Sequence, residues 1–186
     1  MNETIDHDHA VLFERKNREL KYKGKVISVY QDTLITPENK EVKWDHIEHR
    51  GAAAVVAVAD SGKLLMVNQF RNSFNRITLE IPAGGRQTAD EETIVCAARE
   101  LEEETGYRSE NLEFLISVAT EIAFCNEVID VYVAKDLIPS KRNLDPDEYI
   151  DVHEYSVDEL VQKIYAGEIQ DSKTIAAILA YKDKYN

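Results

Sequence analysis

Cysteine is scarce in this chain: Cys96 and Cys125 are the only two among 186 residues, too few for a disulfide scaffold and not spaced as a metal pair. Long apolar runs are absent as well, and none approaches the ~18 residues of a membrane span. Residues 1–9 lack the basic and apolar regions of a signal peptide, so the sequence reads as cytoplasmic with no membrane partner. Positive charge is the third shortage. Against 35 Asp and Glu stand 22 Lys and Arg, a net charge of −13, which excludes a nucleic-acid polymer as partner because that needs a basic face. A small phosphorylated substrate stays open, since metal ions and one or two arginines can bring a diphosphate into an acidic cleft.

What is present describes an ordinary globular protein. Apolar residues make up 44% and charged residues 31%, at a length that suits one domain with a small appendage. No repeat, low-complexity stretch or long linker interrupts it. His7 and His9, with Asp6 and Asp8, read as a solvated tail and not a metal tract, because chain ends are usually mobile.

The pattern along the chain predicts mixed strands and helices. Residues 24–48 read as two antiparallel strands, 25–30 and 41–47, around a turn at Thr36-Pro37-Glu38-Asn39. The small-apolar run 52–59 reads as a strand buried on both faces, followed past Asp60-Ser61-Gly62 by a strand at 63–70. Further strands are expected at 78–81, 112–120, 128–134 and 150–155, with an acidic loop at 145–148. Ser156 and Glu159 have capping-box spacing for a helix ending at Gly167, and Asp171 or Ser172 can cap a last helix to about Tyr185. Helices on both sides of a mixed sheet imply an α/β/α sandwich.

The chemistry is concentrated in residues 85–107. Glu100, Glu103 and Glu104 have helical i, i+3, i+4 spacing and project together. Three carboxylates that close repel unless a cation sits among them, and their hard oxygens suit Mg²⁺ or Mn²⁺. Thr88 and Glu91 have capping-box spacing for the start of this helix, and Gly106 supplies a left-handed stop. Ile94, Ala98, Leu101 and Thr105 form an apolar seam expected to pack on the sheet. Cys96 falls on the carboxylate side as a packing residue.

Gly85, Glu91, Arg99, Glu100, Glu103, Glu104 and Gly106, with Leu101 and Tyr107 in the apolar slots, make this segment resemble the Nudix box, Gly-x5-Glu-x7-Arg-Glu-U-x-Glu-Glu-x-Gly-U, where U is a bulky apolar residue. The resemblance implies the Nudix α/β/α sandwich with a mixed sheet, preceded by a small N-terminal antiparallel β-sheet. It implies domains at 1–47, for dimerisation and substrate contact, and at 48–186, for hydrolysis. Secondary landmarks resemble the ADP-ribose pyrophosphatase subfamily: Tyr22 to Val29, His49 to Val56, Asn68-Gln69-Phe70-Arg71 and Leu79-Glu80-Ile81-Pro82-Ala83-Gly84. The activity implied is hydrolysis of a nucleoside diphosphate sugar, foremost ADP-ribose, to AMP and ribose 5-phosphate. Ile122 stands where the subfamily carries a proline within Ser-Pro-Gly-Phe, which opens GDP-mannose or another nucleotide sugar as alternatives. A nucleotide-sugar sensor that does not hydrolyse is a further alternative, although such proteins usually lose a metal carboxylate.

Roles follow from the same resemblance. Glu100, Glu103, Glu104 and the Gly84 carbonyl would hold Mg²⁺ or Mn²⁺. Arg99 would orient a ligand carboxylate, and Glu91 would brace the loop or reach a further metal through water. Glu148 is the expected general base, with Asp147 and Glu127 behind it. Arg71 offers a planar fork to a phosphate, and Glu80 either accepts from sugar hydroxyls or pairs with an arginine as scaffold. Trp44 and Phe70 are candidate stacking partners for a base. A homodimer is expected, with Trp44 and Tyr30 of the N-terminal sheet reaching the partner's site.

Overall fold

A computed structural model describes residues 13–144, 146 and 148–185; His7, His9, Asp145 and Asp147 lie outside the described residues. The chain divides into two compact units, Met1–His49 with Glu121–Asn126, and Arg50–Thr120 with Glu127–Asn186.

The first unit is a three-stranded antiparallel sheet of β1 (Glu14–Lys23), β2 (Ser28–Ile35) and β3 (Glu41–Glu48), in that order. The strand expected at 25–30 is displaced. Gly24 donates to the Ile27 carbonyl at 2.9 Å, closing a hairpin turn, so strand pairing starts at Ser28. β1 itself carries no apolar alternation and forms through its backbone ladder, which the side-chain pattern does not advertise. Residues 121–126 are tied to β3 by Ile47 N–H to the Phe124 carbonyl and by His49 N–H to the Asn126 side chain. Among the unit's described residues only Asp32 and Leu34 are buried. Arg18 forks Asp32 through two hydrogen bonds of 2.6 Å, which satisfies the carboxylate in that half-open setting.

The second unit is built on a sheet in the order β12 (Ile150–Tyr155), β5 (Leu64–Arg71), β4 (Ala52–Val58), β10 (Val128–Lys135) and β9 (Asn111–Ala119). β6 (Arg76–Glu80) pairs with β5, and β7 (Ala83–Gly85) pairs with β4. β4 and β10 run parallel and the other pairs antiparallel, so the sheet is mixed. A separate ladder joins β8 (Tyr107–Arg108) to β11 (Ile138–Pro139).

The period-2 alternation of β4 divides the core. Ala52, Ala54 and Val56 face one cluster with Leu64 and Met66 of β5 and with Leu160, Ile169, Ala177 and Ile178, the last four drawn from α2 (Val157–Tyr165), α3 (Ser172–Tyr185) and the segment between them. Ala53, Val55 and Ala57 face the other with Leu65, Cys96, Ala97 and Leu101, the latter three from α1 (Thr93–Thr105). Helices therefore cover both faces of the mixed sheet, the α/β/α arrangement expected. The capping box at the start of α2 is formed, with Ser156 and Glu159 bonded reciprocally.

Candidate active site

The site starts from a close approach of backbone to helix. β7 lays Gly84 opposite Ala53 at the sheet, directly against α1. A Cβ built on Gly84 would fall inside the van der Waals envelope of the Glu100 carboxylate, so only glycine admits that side chain. The Gly84 carbonyl faces the same helix and accepts the Cys96 thiol at 3.5 Å.

α1 differs from expectation in two respects. It begins at Thr93 after Glu92, not at Thr88, because the Glu91 carboxylate is occupied by the Gln87 N–H at 2.6 Å and by Arg99. Its buried face is also rotated. Cys96, Ala97, Leu101 and Thr105 are buried together with Glu100 and Glu104, while Ile94 is exposed. Small residues at 96 and 97 let the helix sit close to the sheet, and that draws two glutamates inward. Gly106 ends the helix at φ 75°, as its position predicts.

Burial makes these carboxylates unusual acids. Glu104 is 2% exposed and accepts the Ala83 N–H at 3.1 Å. Desolvation, with repulsion from Glu100 and Glu148, pushes its carboxyl up to about 8. Desolvation likewise pushes Glu100 up to about 7 against the pull of Arg99, with Glu103 and Glu148 adding repulsion. Glu148, on the loop between β11 and β12, is thus close enough to act on both. Burial also pushes the Cys96 thiol up to about 11, which makes it an inert packing group.

Arg99 holds the cluster together. Its guanidinium donates to Glu100, to Glu103 at 3.1 Å, to Glu91 at 3.3 Å and to the Gly85 carbonyl at 3.0 Å. Among the described residues no three His, Cys, Asp or Glu side chains close around one point in this arrangement. The donor chemistry nonetheless fits a hard divalent cation: carboxylate oxygens from one helix, a backbone carbonyl beside them, and two buried acids whose ionised form needs a counter-charge.

A second polar cluster lies at the ends of β5 and β6. Glu80 is 3% exposed and takes Arg71 Nε at 2.8 Å, Arg71 Nη2 at 2.7 Å, Thr78 Oγ1 at 2.7 Å, and Lys173 Nζ. Burial alone would raise its pKa, yet the hydrogen bonds from Arg71 and the charges of Lys173 and Arg71 hold it down at about 2. Both oxygens are engaged in the scaffold pairing with Arg71 that the sequence offers as the alternative to a sugar contact. The Arg71 side chain keeps 37% of its exposure, and its charge is favoured first by Glu80 and then by Asp171 and Glu104.

Phe70 is 53% exposed on β5, beside Arg71. Trp44, in the first unit, is 52% exposed and lies 5.0 Å from the Phe13 ring. Tyr30 donates its hydroxyl to Glu48 at 3.0 Å, and Glu127 accepts from Thr120 at 2.7 Å. Lys173 escaped the sequence reading, although a signal exists. Lys173, Ala177 and Tyr181 form one i, i+4, i+8 row of α3, all buried, and a lysine in such a row calls for a buried counter-charge.

The chain is similar to known proteins in sequence and in fold. Residues 48–178 match the NUDIX domain family. The chain is 40% identical over 171 residues to a "Methanol dehydrogenase activator" of Bacillus methanolicus, covering 90% of this chain and 92% of that protein. It is 38% identical to an "ADP-ribose pyrophosphatase" of Bacillus subtilis, covering 84% and 85%, and 33% identical to one of Mycobacterium tuberculosis, covering 94% and 84%. The crystal structure of an "ADP compounds hydrolase" superposes with a TM-score of 0.81 over 92% of both chains, and at 17% identity this likeness concerns the fold.

Proposed function

The chain belongs to the Nudix family, and from that premise we propose that it is a divalent-metal-dependent pyrophosphatase acting on ADP-ribose or a closely related nucleotide sugar. Hydrolysis of the diphosphate bridge gives a nucleoside monophosphate and a sugar phosphate, AMP and ribose 5-phosphate in the case of ADP-ribose. One observation carries the substrate class: the similarity to two ADP-ribose pyrophosphatases extends through 84% and 94% of this chain, well beyond the carboxylate helix.

Glu100, Glu103, Glu104 and the Gly84 carbonyl would hold the cation, for which Mg²⁺ is our choice and Mn²⁺ a substitute. When bound, such an ion neutralises the phosphate oxygens and makes a coordinated water more acidic. The chain's own residues do the rest. Arg99 keeps the Glu100 and Glu103 carboxylates aligned. Arg71, with Nε and Nη2 engaged by Glu80, offers its remaining Nη1 edge to a non-bridging phosphate oxygen. Glu148 takes the proton of the attacking water, whose oxygen bonds to phosphorus as the bridging P–O bond breaks and the charge leaves on the departing phosphate. Phe70 offers its ring face to the base, and Trp44 is a further stacking candidate.

The first unit supports a homodimer. Its exposed Phe13, Leu20, Tyr22, Val26 and Trp44, set against two buried residues among those described, suit a sheet that finds cover on a second copy. In that assembly Trp44 and Tyr30 would reach the partner's site. Among the described residues no helix is long and apolar enough to cross a membrane. We assign the protein to the cytoplasm, in keeping with its two free cysteines.

A second substrate is favoured by one residue. Ile122, 83% exposed, occupies the subfamily's proline position, and two relatives at 30% identity are "GDP-mannose pyrophosphatase" proteins. Steady-state kinetics with ADP-ribose, GDP-mannose, UDP-glucose and a nucleoside triphosphate at saturating Mg²⁺ test the reading. Nucleotide sugars should show much the higher kcat/KM, with AMP or GMP as product. Preference for the triphosphate would overturn it.

A further inference from the structure

Lys173 is in a costly place. It is 6% exposed, it stands in the first turn of α3 where the helix dipole disfavours a cation, and its long side chain is immobilised. Its ammonium donates to Glu80 Oε2 and, at 2.9 Å, to Asp171 Oδ2. Each acid also has another partner. Asp171 already caps α3 by accepting the Thr174 N–H at 3.0 Å, and Glu80 already has Arg71 and Thr78. Exchange of a whole buried ion pair for apolar groups typically changes stability little, whereas loss of one partner leaves the other charge uncompensated, so the geometry of the pair is the feature to explain.

What it fixes is Arg71. Glu80 Oε2 is shared between Lys173 Nζ and Arg71 Nη2, while Oε1 takes Arg71 Nε and Thr78. The carboxylate is thereby clamped from α3 on one side and from β6 on the other, and the planar guanidinium must follow its plane. The same first turn of α3 also holds the next residue: Thr174 Oγ1 accepts the Ile81 N–H at 3.1 Å, at the entry to Gly84 and α1.

We propose that Lys173 is a positioning residue, which through the Glu80 carboxylate sets the direction in which Arg71 meets the substrate's diphosphate. This rests on the reading of Arg71 as a phosphate contact. Loss of the clamp leaves Arg71 present but poorly aimed, so substrate affinity suffers while the metal helix and the attacking water are untouched.

The test is Lys173→Met, which keeps side-chain length and removes the charge, with Lys173→Arg as the variant that keeps charge and donors. At saturating Mg²⁺ on the best nucleotide sugar, Lys173→Met should raise KM by about tenfold, the scale of one charge-assisted hydrogen bond, with kcat within about twofold. Lys173→Arg should stay near wild type. In an Arg71→Ala background the Lys173→Met change should have no further effect on KM, since the two act as one unit. Equal KM increments in both backgrounds, or a fall in Tm with KM unchanged, would overturn the proposal. The coupling has a second readout independent of turnover: the Arg71 Nε–H, observed by ¹⁵N NMR, should exchange faster with solvent in Lys173→Met, and an unchanged exchange rate refutes the coupling outright. Wild type inactive on every nucleotide sugar would instead defeat the substrate reading, leaving the exchange measurement to decide the role of Lys173.

Discussion

Glu104→Gln should stabilise the protein and destroy its activity at once. The side chain is 2% exposed, and desolvation with Glu100 repulsion raises its carboxyl from 4.5 to about 8. A raised acid is a stability cost that grows with pH. Below about 4.5 both the folded and unfolded chains carry the proton and the group is neutral in effect. Between 4.5 and about 8 the unfolded chain ionises while the folded chain retains the proton, so stability falls steadily with pH. At pH 7 the pKa difference acts over ~2.5 units, which at ~1.4 kcal/mol per unit gives a cost of ~3 kcal/mol. Glutamine keeps the acceptor for the Ala83 N–H and has no proton to lose. Urea unfolding in EDTA should therefore show the variant more stable than wild type by ~1–3 kcal/mol at pH 7, with the difference vanishing near pH 4. Saturating Mg²⁺ should reverse the order, because only the wild type presents the full anionic ligand set. A variant destabilised equally at pH 4 and pH 7 in EDTA would refute the assignment of Glu104 as an uncompensated buried acid.

Glu103→Gln should fold normally, by circular dichroism, and lose turnover by orders of magnitude at saturating Mg²⁺; undiminished turnover would remove Glu103 from the site. Gly84→Ala should do similar harm by another route, since its Cβ displaces the flexible end of Glu100 and leaves the backbone in place. Its Tm should fall by only a few degrees while Mg²⁺ affinity, read by titration calorimetry, drops at least about tenfold. Sedimentation equilibrium should give twice the 21.2 kDa chain mass, and deletion of residues 1–47 should abolish both dimerisation and nucleotide-sugar affinity; a fully active monomer would contradict the dimer proposal.

Legibility in the sequence followed the physics of each element. β4 was readable because an unbroken small-apolar run serves two cores at once. α2 was readable because Ser156 and Glu159 need only each other to define a helix start. β1 was not, because its ladder is made by backbone groups and its ten residues are nearly all exposed. In α1 the spacing of Glu100, Glu103 and Glu104 was plain. The burial of Glu100 and Glu104 is not legible, because a helix wheel treats carboxylates as solvent-seeking and carries no sign of the room that Gly84 leaves beside Glu100. The Thr88 cap failed for a related reason: Glu91 is committed to Gln87 and Arg99, a tertiary demand that outranks the local motif. Glu80 and Lys173 are distant in sequence and meet only through the packing of α3 on the end of β6.

The carboxylate helix is assigned to the hydrolysis of a diphosphate bridge. Its most direct measurement is product identification by ³¹P NMR after incubation of the protein with ADP-ribose and Mg²⁺. The diphosphate signals should disappear with equal appearance of AMP and ribose 5-phosphate, a conversion stopped by EDTA, restored by added Mg²⁺ and absent in Glu104→Gln. Diphosphate signals that persist for ADP-ribose and GDP-mannose alike, with folded protein and excess Mg²⁺, would contradict the assignment.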